Sequence, residues 1–279
     1  MSQRPLRLGP RSAAAIALIS LLGLMAFGWP LLADADSAVT SHAADAPWLF
    51  AALLPLLVAV VVATVADSGM DAKAVAMLGV LAAVGAALRP LGAGTAGLEP
   101  MFFLMVLSGR VLGPGFGFVL GSVTMFASAL LTGGVGPWMP FQMLSMAWFA
   151  MGAGLLPHSA ALRGRAELLL LAAYGFLASF AYGTVMNLYG WPVVAGQTGA
   201  DFVPGAPVHE NLLRFAVYVL TTSLGWDLGR AALTVVLTLT VGGPLLKALR
   251  RATRRANFEA QVTFEAPERP LPGEPPHRT

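Results

Sequence analysis

The sequence predicts an all-α integral membrane protein, and its composition and hydropathy pattern carry that prediction. Hydrophobic residues occupy 57% of the 279 positions, whereas Asp, Glu, Lys and Arg together occupy only 11%. A soluble fold of this size needs about a quarter charged residues to cover its surface. The apolar residues also form long runs, and about 20 such residues are enough to cross a bilayer as a helix. These observations exclude a soluble enzyme and a disordered chain.

Two further counts narrow the chemistry that the chain can perform. It has no cysteine, which excludes disulfides, thiolate metal sites and cysteine nucleophiles. Neither of its two lysines, Lys73 and Lys247, stands in a P-loop motif, so ATP binding of that kind is excluded. The net charge of +3 comes from basic residues at the ends of apolar runs, which indicates membrane topology rather than nucleic-acid binding. No cofactor is expected.

Eight apolar runs are predicted to cross the membrane. Two of them, residues 13–33 and 48–66, precede the other six, which are residues 72–88, 99–112, 116–131, 140–156, 166–188 and 226–246. Residues 212–223 are expected to lie at the outer surface or to tilt steeply before the last span. An alternative for the first run is a signal peptide ending near Ala33-Asp34-Ala35, although its length favours an uncleaved anchor.

Basic residues set the expected orientation of these spans. The basic N-terminus and the cluster that begins at Lys247 place both termini in the cytoplasm, which requires an even number of crossings. The predicted organisation is an N-terminal segment with two additional helices (1–71), a six-helix core (72–256) and a tail rich in proline and charge (257–279). Such a tail is expected to be disordered.

Small residues recur at every fourth position in several spans. Examples are the glycines at 109, 113, 117 and 121 and the Gly175/Ser179/Gly183 series. This spacing lets helix backbones approach closely, and most of these positions are expected to pack helices within the bundle. The stripe from Ala72 to Ala87 has few large side chains and is the best candidate for docking a different membrane subunit.

Polar and aromatic residues gather near the predicted outer surface. They are Arg89, Glu99, Trp138, Gln142, Asn187, Tyr189, Trp191, Asn211, Arg214 and Arg230. As a set they predict an outward-opening pocket, with aromatic walls for a flat ligand and with amides and an arginine to orient it. The alternative is an interfacial aromatic belt with a structural pair between Asp227 and Arg230, which are three residues apart on a helix.

An alternative function rests on Asp67 and Asp71, which are spaced as D-x-x-x-D on the predicted cytoplasmic side. Paired carboxylates suggest a metal-dependent membrane transferase acting on lipid or isoprenoid substrates. A magnesium–diphosphate site would need more carboxylates, and no second acidic cluster occurs on that side. A solvated connection between two helices is the simpler interpretation.

From about residue 72 to residue 156 the sequence resembles the S component, the substrate-binding membrane subunit, of energy-coupling factor (ECF) vitamin transporters. The resemblance rests on the Leu88-Arg89-Pro90-Leu91 stretch, on the glycine-rich residues 109–118 and on residues 136–143, GPWMPFQM. Residues 182–191 and 226–230 extend it to roughly 180 residues. The two N-terminal spans depart from the six-helix pattern of such proteins.

The resemblance implies a transport subunit without catalytic activity. It implies that a vitamin or related micronutrient binds in the outer half, with cobalamin favoured and riboflavin-like or other aromatic vitamins left open. Its partners would be a membrane T subunit and two cytoplasmic ATPases. The T-contact helix of the family would map onto Ala72, Ala76, Ala83 and Ala87. The loop from Trp191 to Asn211, which contains several glycines and prolines, is a candidate lid.

Overall fold

A computed structural model describes residues 8–32, 52–67, 70, 72–92, 95–159, 162–193 and 199–256, and every regular element within these ranges is helical. The α-helices are α1 (Pro10–Leu32), α2 (Leu53–Asp67), α3 (Ala72–Leu88), α4 (Met101–Leu112), α5 (Pro114–Thr132), α6 (Met139–Leu155), α7 (Arg165–Gly190), α8 (Val208–Thr222), α9 (Leu224–Thr240) and α10 (Gly242–Ala256). A 3-10 turn, Pro90–Gly92, follows α3. The all-α class is therefore confirmed. The predicted tail, 257–279, lies outside the described residues.

Helix length and composition support a multi-pass membrane protein. Among the described helices, four are long and apolar enough to cross a membrane: α1, α3 with its 3-10 turn, α5 and α7. The bent pair of α9 and α10 adds a fifth if it is one span, and α2 and α4 are shorter apolar helices. Length thus accounts for four or five crossings rather than the expected eight. The arrangement of six helices plus two stays a prediction.

The predicted span over residues 226–246 is not one straight helix, because it is interrupted at Val241. α9 ends at Thr240, and α10 starts at Gly242 with its axis bent by 70°. The break coincides with Gly242-Gly243-Pro244 at the start of α10, where proline cannot continue the backbone hydrogen bonds of α9. α8 ends at Thr222 and α9 begins at Leu224, so residues 212–222 belong to a helix separate from α9. Their expected position at the outer surface stays a prediction.

α4 is the central helix of the bundle. Every side chain from Met101 to Arg110 is buried, and the helix contacts α3, α5, α6, α7, α9 and α10. A helix that is apolar on nearly all sides is typical of a protein core or of a membrane span, and here neighbouring helices enclose it. The predicted break after it is confirmed: Gly113 has a φ of 93°, which favours glycine, and the chain then enters α5 at Pro114.

Glycines allow α5 and α6 to pack with their backbones in contact. A Cβ atom at Gly117 would lie 2.7 Å from the carbonyl oxygen of Ala150, and one at Gly121 would overlap the carbonyl of Met146. The small-residue positions of this series therefore pack helices within the bundle, as expected.

The two N-terminal helices pack away from the exposed face of α3. α1 contacts α2, α6, α7 and α8, and α2 contacts α5 and α6. One tie is a hydrogen bond of 2.9 Å from Trp148 Nε1 to Ser20 Oγ. The predicted docking alanines of α3 and the glycine among them remain exposed: Ala72, Ala76, Gly79, Ala83 and Ala87.

We predict that Gly121→Ala destabilises the protein, whereas Gly79→Ala does not. The added methyl group at position 121 meets the backbone of α6, and overpacking of this kind costs about 1–3 kcal/mol. At position 79 nothing lies within 4 Å of the new Cβ atom, and alanine is the better helix former. Thermal unfolding of the purified variants in detergent is the measurement. Equal loss of stability in both variants would contradict the packing described for α5 and α6.

Candidate ligand-binding site

The residues predicted to bind ligand gather at one end of the bundle. Three hydrogen bonds tie their helices together there: Arg89 after α3 to Gln142 in α6, Arg230 in α9 to Glu99 before α4, and Ser223 before α9 to Asn187 in α7. We call this the Arg89 end. The opposite end, where Arg110, Glu167 and Arg250 meet, is called the basic end.

Arg230 is the centre of a buried ion cluster at the Arg89 end. Its Nε lies 3.0 Å from Oε2 of Glu99, and its Nη1 lies 2.7 Å from Oδ1 of Asp227. The guanidinium carbon also lies 4.9 Å from the ring centre of Phe102 and 5.0 Å from that of Tyr182. The intrahelical pair of Asp227 and Arg230 is thus confirmed. The cluster around this pair also includes Glu99 and the rings of Phe102 and Tyr182.

Glycines position the two carboxylates of this cluster. Gly97 has a φ of 85°, and a side chain there would overlap the carbonyl of Trp226, so the loop before α4 lies directly on the first turn of α9. This contact brings Glu99 to Arg230. A side chain at Gly183 would overlap the carboxylate of Asp227, so the backbone of α7 closes the other side.

Two buried polar atoms beside this cluster have no hydrogen-bond partner among the described residues. They are Oδ2 of Asp227, an acceptor, and Nδ2 of Asn187, a donor. The other amide atom of Asn187 accepts a 2.8 Å hydrogen bond from Ser223 Oγ. Leaving such groups unpaired costs about 1–3 kcal/mol each, so their retention favours a bound water or ligand group.

Arg89 differs from Arg230 because its partners in the described chain are neutral. Its Nη2 donates to Oε1 of Gln142 at 3.1 Å, and its Nη1 lies 3.4 Å from Oγ of Ser128. No described carboxylate pairs with it, and the residue is only half-buried. Its charge is therefore available to a carboxylate, phosphate or carbonyl group of a ligand.

A groove with a volume of about 340 Å³ lies between α6 and α7. Its walls are mainly aromatic and aliphatic, and the residues lining it are Ser145, Trp148, Phe149, Tyr174, Leu177, Ala178, Ala181, Tyr182 and Val185. Tyr182 joins the groove to the ion cluster, because the same ring packs on Arg230. The volume falls in the range of about 300–1,000 Å³ that is typical of small-molecule pockets.

Sequence reasoning did not select these groove residues. The available signal was the spacing of Tyr174, Ala178 and Tyr182, which places two aromatic rings and a small residue on one face of α7. Because aromatic residues at helical spacing are common in packed cores, only the partner helix reveals that a gap is left between them. Among the predicted residues, Gln142 comes nearest along the chain, one turn of α6 before Ser145.

Two of the predicted binding residues are used to hold the segment after α7. Trp191 is 1% exposed, donates a 2.8 Å hydrogen bond to the carbonyl of Ala200 and packs against Phe215. Asn211 bonds the backbone of Val203 through both of its amide atoms. These side chains position the described part of the predicted lid. Residues 194–198 of that loop lie outside the described residues.

The remaining predicted residues line the surface of the Arg89 end. Tyr189 packs on Phe141 at a ring distance of 4.5 Å. Trp138 is 39% exposed, and its Nε1 donates to the carbonyl of Gly134. Arg214 is half-buried and forms no ion pair with a described residue. The structure therefore places Arg89, Gln142, Glu99, Asn187 and Arg230 around the interior and these three residues at its margin.

The acidic pair considered for a metal site is described only in part. Asp67 accepts a 2.9 Å hydrogen bond from Ser12 Oγ, and this contact joins the end of α2 to the start of α1. Asp71 lies outside the described residues. Within the described residues, no group of three or more acidic, histidine or cysteine side chains is placed to hold a metal ion.

Comparison of the chain with protein-family models, with curated proteins and with solved structures returns no match.

We predict that Arg230→Gln lowers the free energy of unfolding by about 3 kcal/mol, because it leaves two carboxylates at the Arg89 end without their counter-charge. Arg214→Gln is the matched control, since Arg214 forms no ion pair with a described residue, and a change within about 0.5 kcal/mol is expected. Reversible denaturation in detergent measures both variants. If both lose the same stability, the ion cluster does not hold this end together.

Proposed function

We propose that the chain is the substrate-binding membrane subunit of an ECF-type importer, which captures a vitamin-like micronutrient at the Arg89 end. The supporting observation is the combination of groups at that end. This end holds Arg89, a cation without a described carboxylate partner, and two unpaired buried polar atoms. Tyr182 connects the ion cluster at the same end to an aromatic groove. Ligand sites in proteins combine an apolar cavity with a few convergent polar groups in this way.

The chemistry of the groove favours a flat, partly polar ligand. Phe149 and Tyr182 contribute aromatic surface to the lining of the groove, and Arg89 with Gln142 would provide donors for oxygen atoms of the ligand. Cobalamin, the ligand that the sequence resemblance favours, is larger than the 340 Å³ groove and would require α6 and α7 to separate. A compact aromatic vitamin is closer in size to the described groove.

The exposed face of α3 is the proposed contact with the partner membrane subunit. Ala72, Ala76, Ala83 and Ala87 lie on one face, while Leu78 and Ala82 face the bundle. Because α1 and α2 leave this face exposed, small residues are available for close backbone approach by another helix. With no P-loop in the chain, energy would come from two ATPase subunits bound to that partner.

We predict that Arg89→Ala and Gln142→Ala each weaken ligand binding about tenfold or more, because each removes a hydrogen-bond partner of the ligand. The ligand is first identified by mass spectrometry and visible absorption of the protein purified in mild detergent, and its affinity is then measured by calorimetry. Thr221→Ala is the control, since this exposed hydroxyl bonds its own helix backbone. Unchanged affinity in both site variants, with intact folding, would remove the Arg89 end from consideration.

We predict that Ala76→Trp and Ala83→Trp abolish co-purification with the T subunit and ATPases, because a bulky side chain prevents close helix contact. The same substitution at Val236, which is 54% exposed on α9, provides the control. Co-expression followed by affinity purification gives the readout, and ligand binding to the isolated chain should be unaffected by all three changes. Retained co-purification in the α3 variants would place the partner contact elsewhere.

A further inference from the structure

α10, which lies at the basic end, has one buried apolar face. Gly242, Leu246, Leu249 and Thr253 are buried, and their spacing of four, three and four residues defines one helical face. Leu246 and Leu249 belong to the main hydrophobic core. Because α10 leaves the direction of α9 at 70°, this apolar face lies across the end of the bundle.

A buried carboxylate fixes the rotation of α10 about its own axis. Oε1 of Glu167 accepts hydrogen bonds from Arg110 Nε at 2.8 Å and from Arg250 Nη2 at 2.6 Å. The side chains of Glu167 and Arg110 are only 2–3% exposed, so this contact is inside the protein. One carboxylate therefore serves two guanidinium groups, and the basic end keeps an excess of positive charge.

The exposed face of α10, opposite its buried face, carries positive charges that are unpaired among the described residues. Lys247, Arg251 and Arg254 are exposed, and none of them forms an ion pair with a described residue. The described sequence of α10 contains no acidic residue. Exposed Arg163 and Arg165, before and at the start of α7, add to the charge of this end.

We propose that the exposed basic face of α10, formed by Lys247, Arg251 and Arg254, binds the headgroups of anionic phospholipids. Charge complementarity identifies this partner, because clusters of basic residues beside a membrane span attract anionic lipid headgroups. The apolar face of α10 is held by the protein core, so the basic face alone is available to the lipid. If α9 crosses the membrane, the 70° bend turns α10 toward the membrane plane, where the phosphate groups lie. This binding is independent of any ligand at the Arg89 end.

The test is native mass spectrometry of the full chain in detergent, titrated with phosphatidylglycerol and with phosphatidylcholine. We expect a preference for phosphatidylglycerol that weakens as ionic strength rises, because exposed charges are screened by salt. Each cation contributes about fivefold to such binding, so the triple variant K247Q/R251Q/R254Q should lose up to about 100-fold of the preference.

Two control variants make the result specific. The charge-preserving variant K247R/R251K/R254K should keep the preference, and thermal unfolding should show that both triple variants are folded. Equal binding of the two lipids by the unaltered chain would overturn the proposal. So would a preference that survives K247Q/R251Q/R254Q but is lost in R163Q/R165Q, because the lipid would then bind at the start of α7 instead.

Discussion

A charge buried inside an apolar bundle must be paired, and this requirement organises both ends of the structure. At the Arg89 end, Arg230 joins Glu99 and Asp227, which belong to different parts of the chain. At the basic end, Glu167 joins Arg110 and Arg250. An unpaired ion in such surroundings costs several kcal/mol, so the two clusters fix which helices meet and in what register.

Close backbone packing fills the space between these two clusters. Along α7, Gly175 contacts Thr234 and Gly183 contacts Asp227, so α7 and α9 meet through small residues over much of their length. Ser179, between them, also gives its carbonyl oxygen to Arg230 at 3.4 Å. Where α7 faces α6, Tyr174 bonds the carbonyl oxygen of Phe149, and Tyr174 and Tyr182 line the groove that remains between the two helices. α7 thus packs closely against α9 and leaves a groove where it faces α6.

Three surfaces of the bundle face different surroundings, and the proposed functions follow that division. The proposed ligand site is the α6–α7 groove with Arg89, the proposed contact with another membrane helix is the alanine face of α3, and the proposed lipid site is the basic face of α10. The three surfaces differ in polarity, and the basic face of α10 lies at the opposite end of the bundle from Arg89. Substitutions on α10 can therefore be studied without directly altering the residues around Arg89.

Much of this organisation was predictable from sequence because it depends on local spacing. The apolar runs predicted the helices, Gly113-Pro114-Gly115 predicted the break between α4 and α5, and the three-residue spacing predicted the Asp227–Arg230 pair. The sequence also located the polar residues of the Arg89 end, because helices of alternating direction bring every second connection to the same end.

Only the tertiary structure decided how these helices and polar residues come together. It selected Glu99 as the third ion of the Arg230 cluster, buried Trp191 against the loop that follows it, and opened the groove beside Tyr182. It also bent the chain at Val241 so that α10 crosses the basic end. These outcomes depend on which faces of helices distant in sequence come together, and the spacing of residues along one helix carries no information about the shape of its partner.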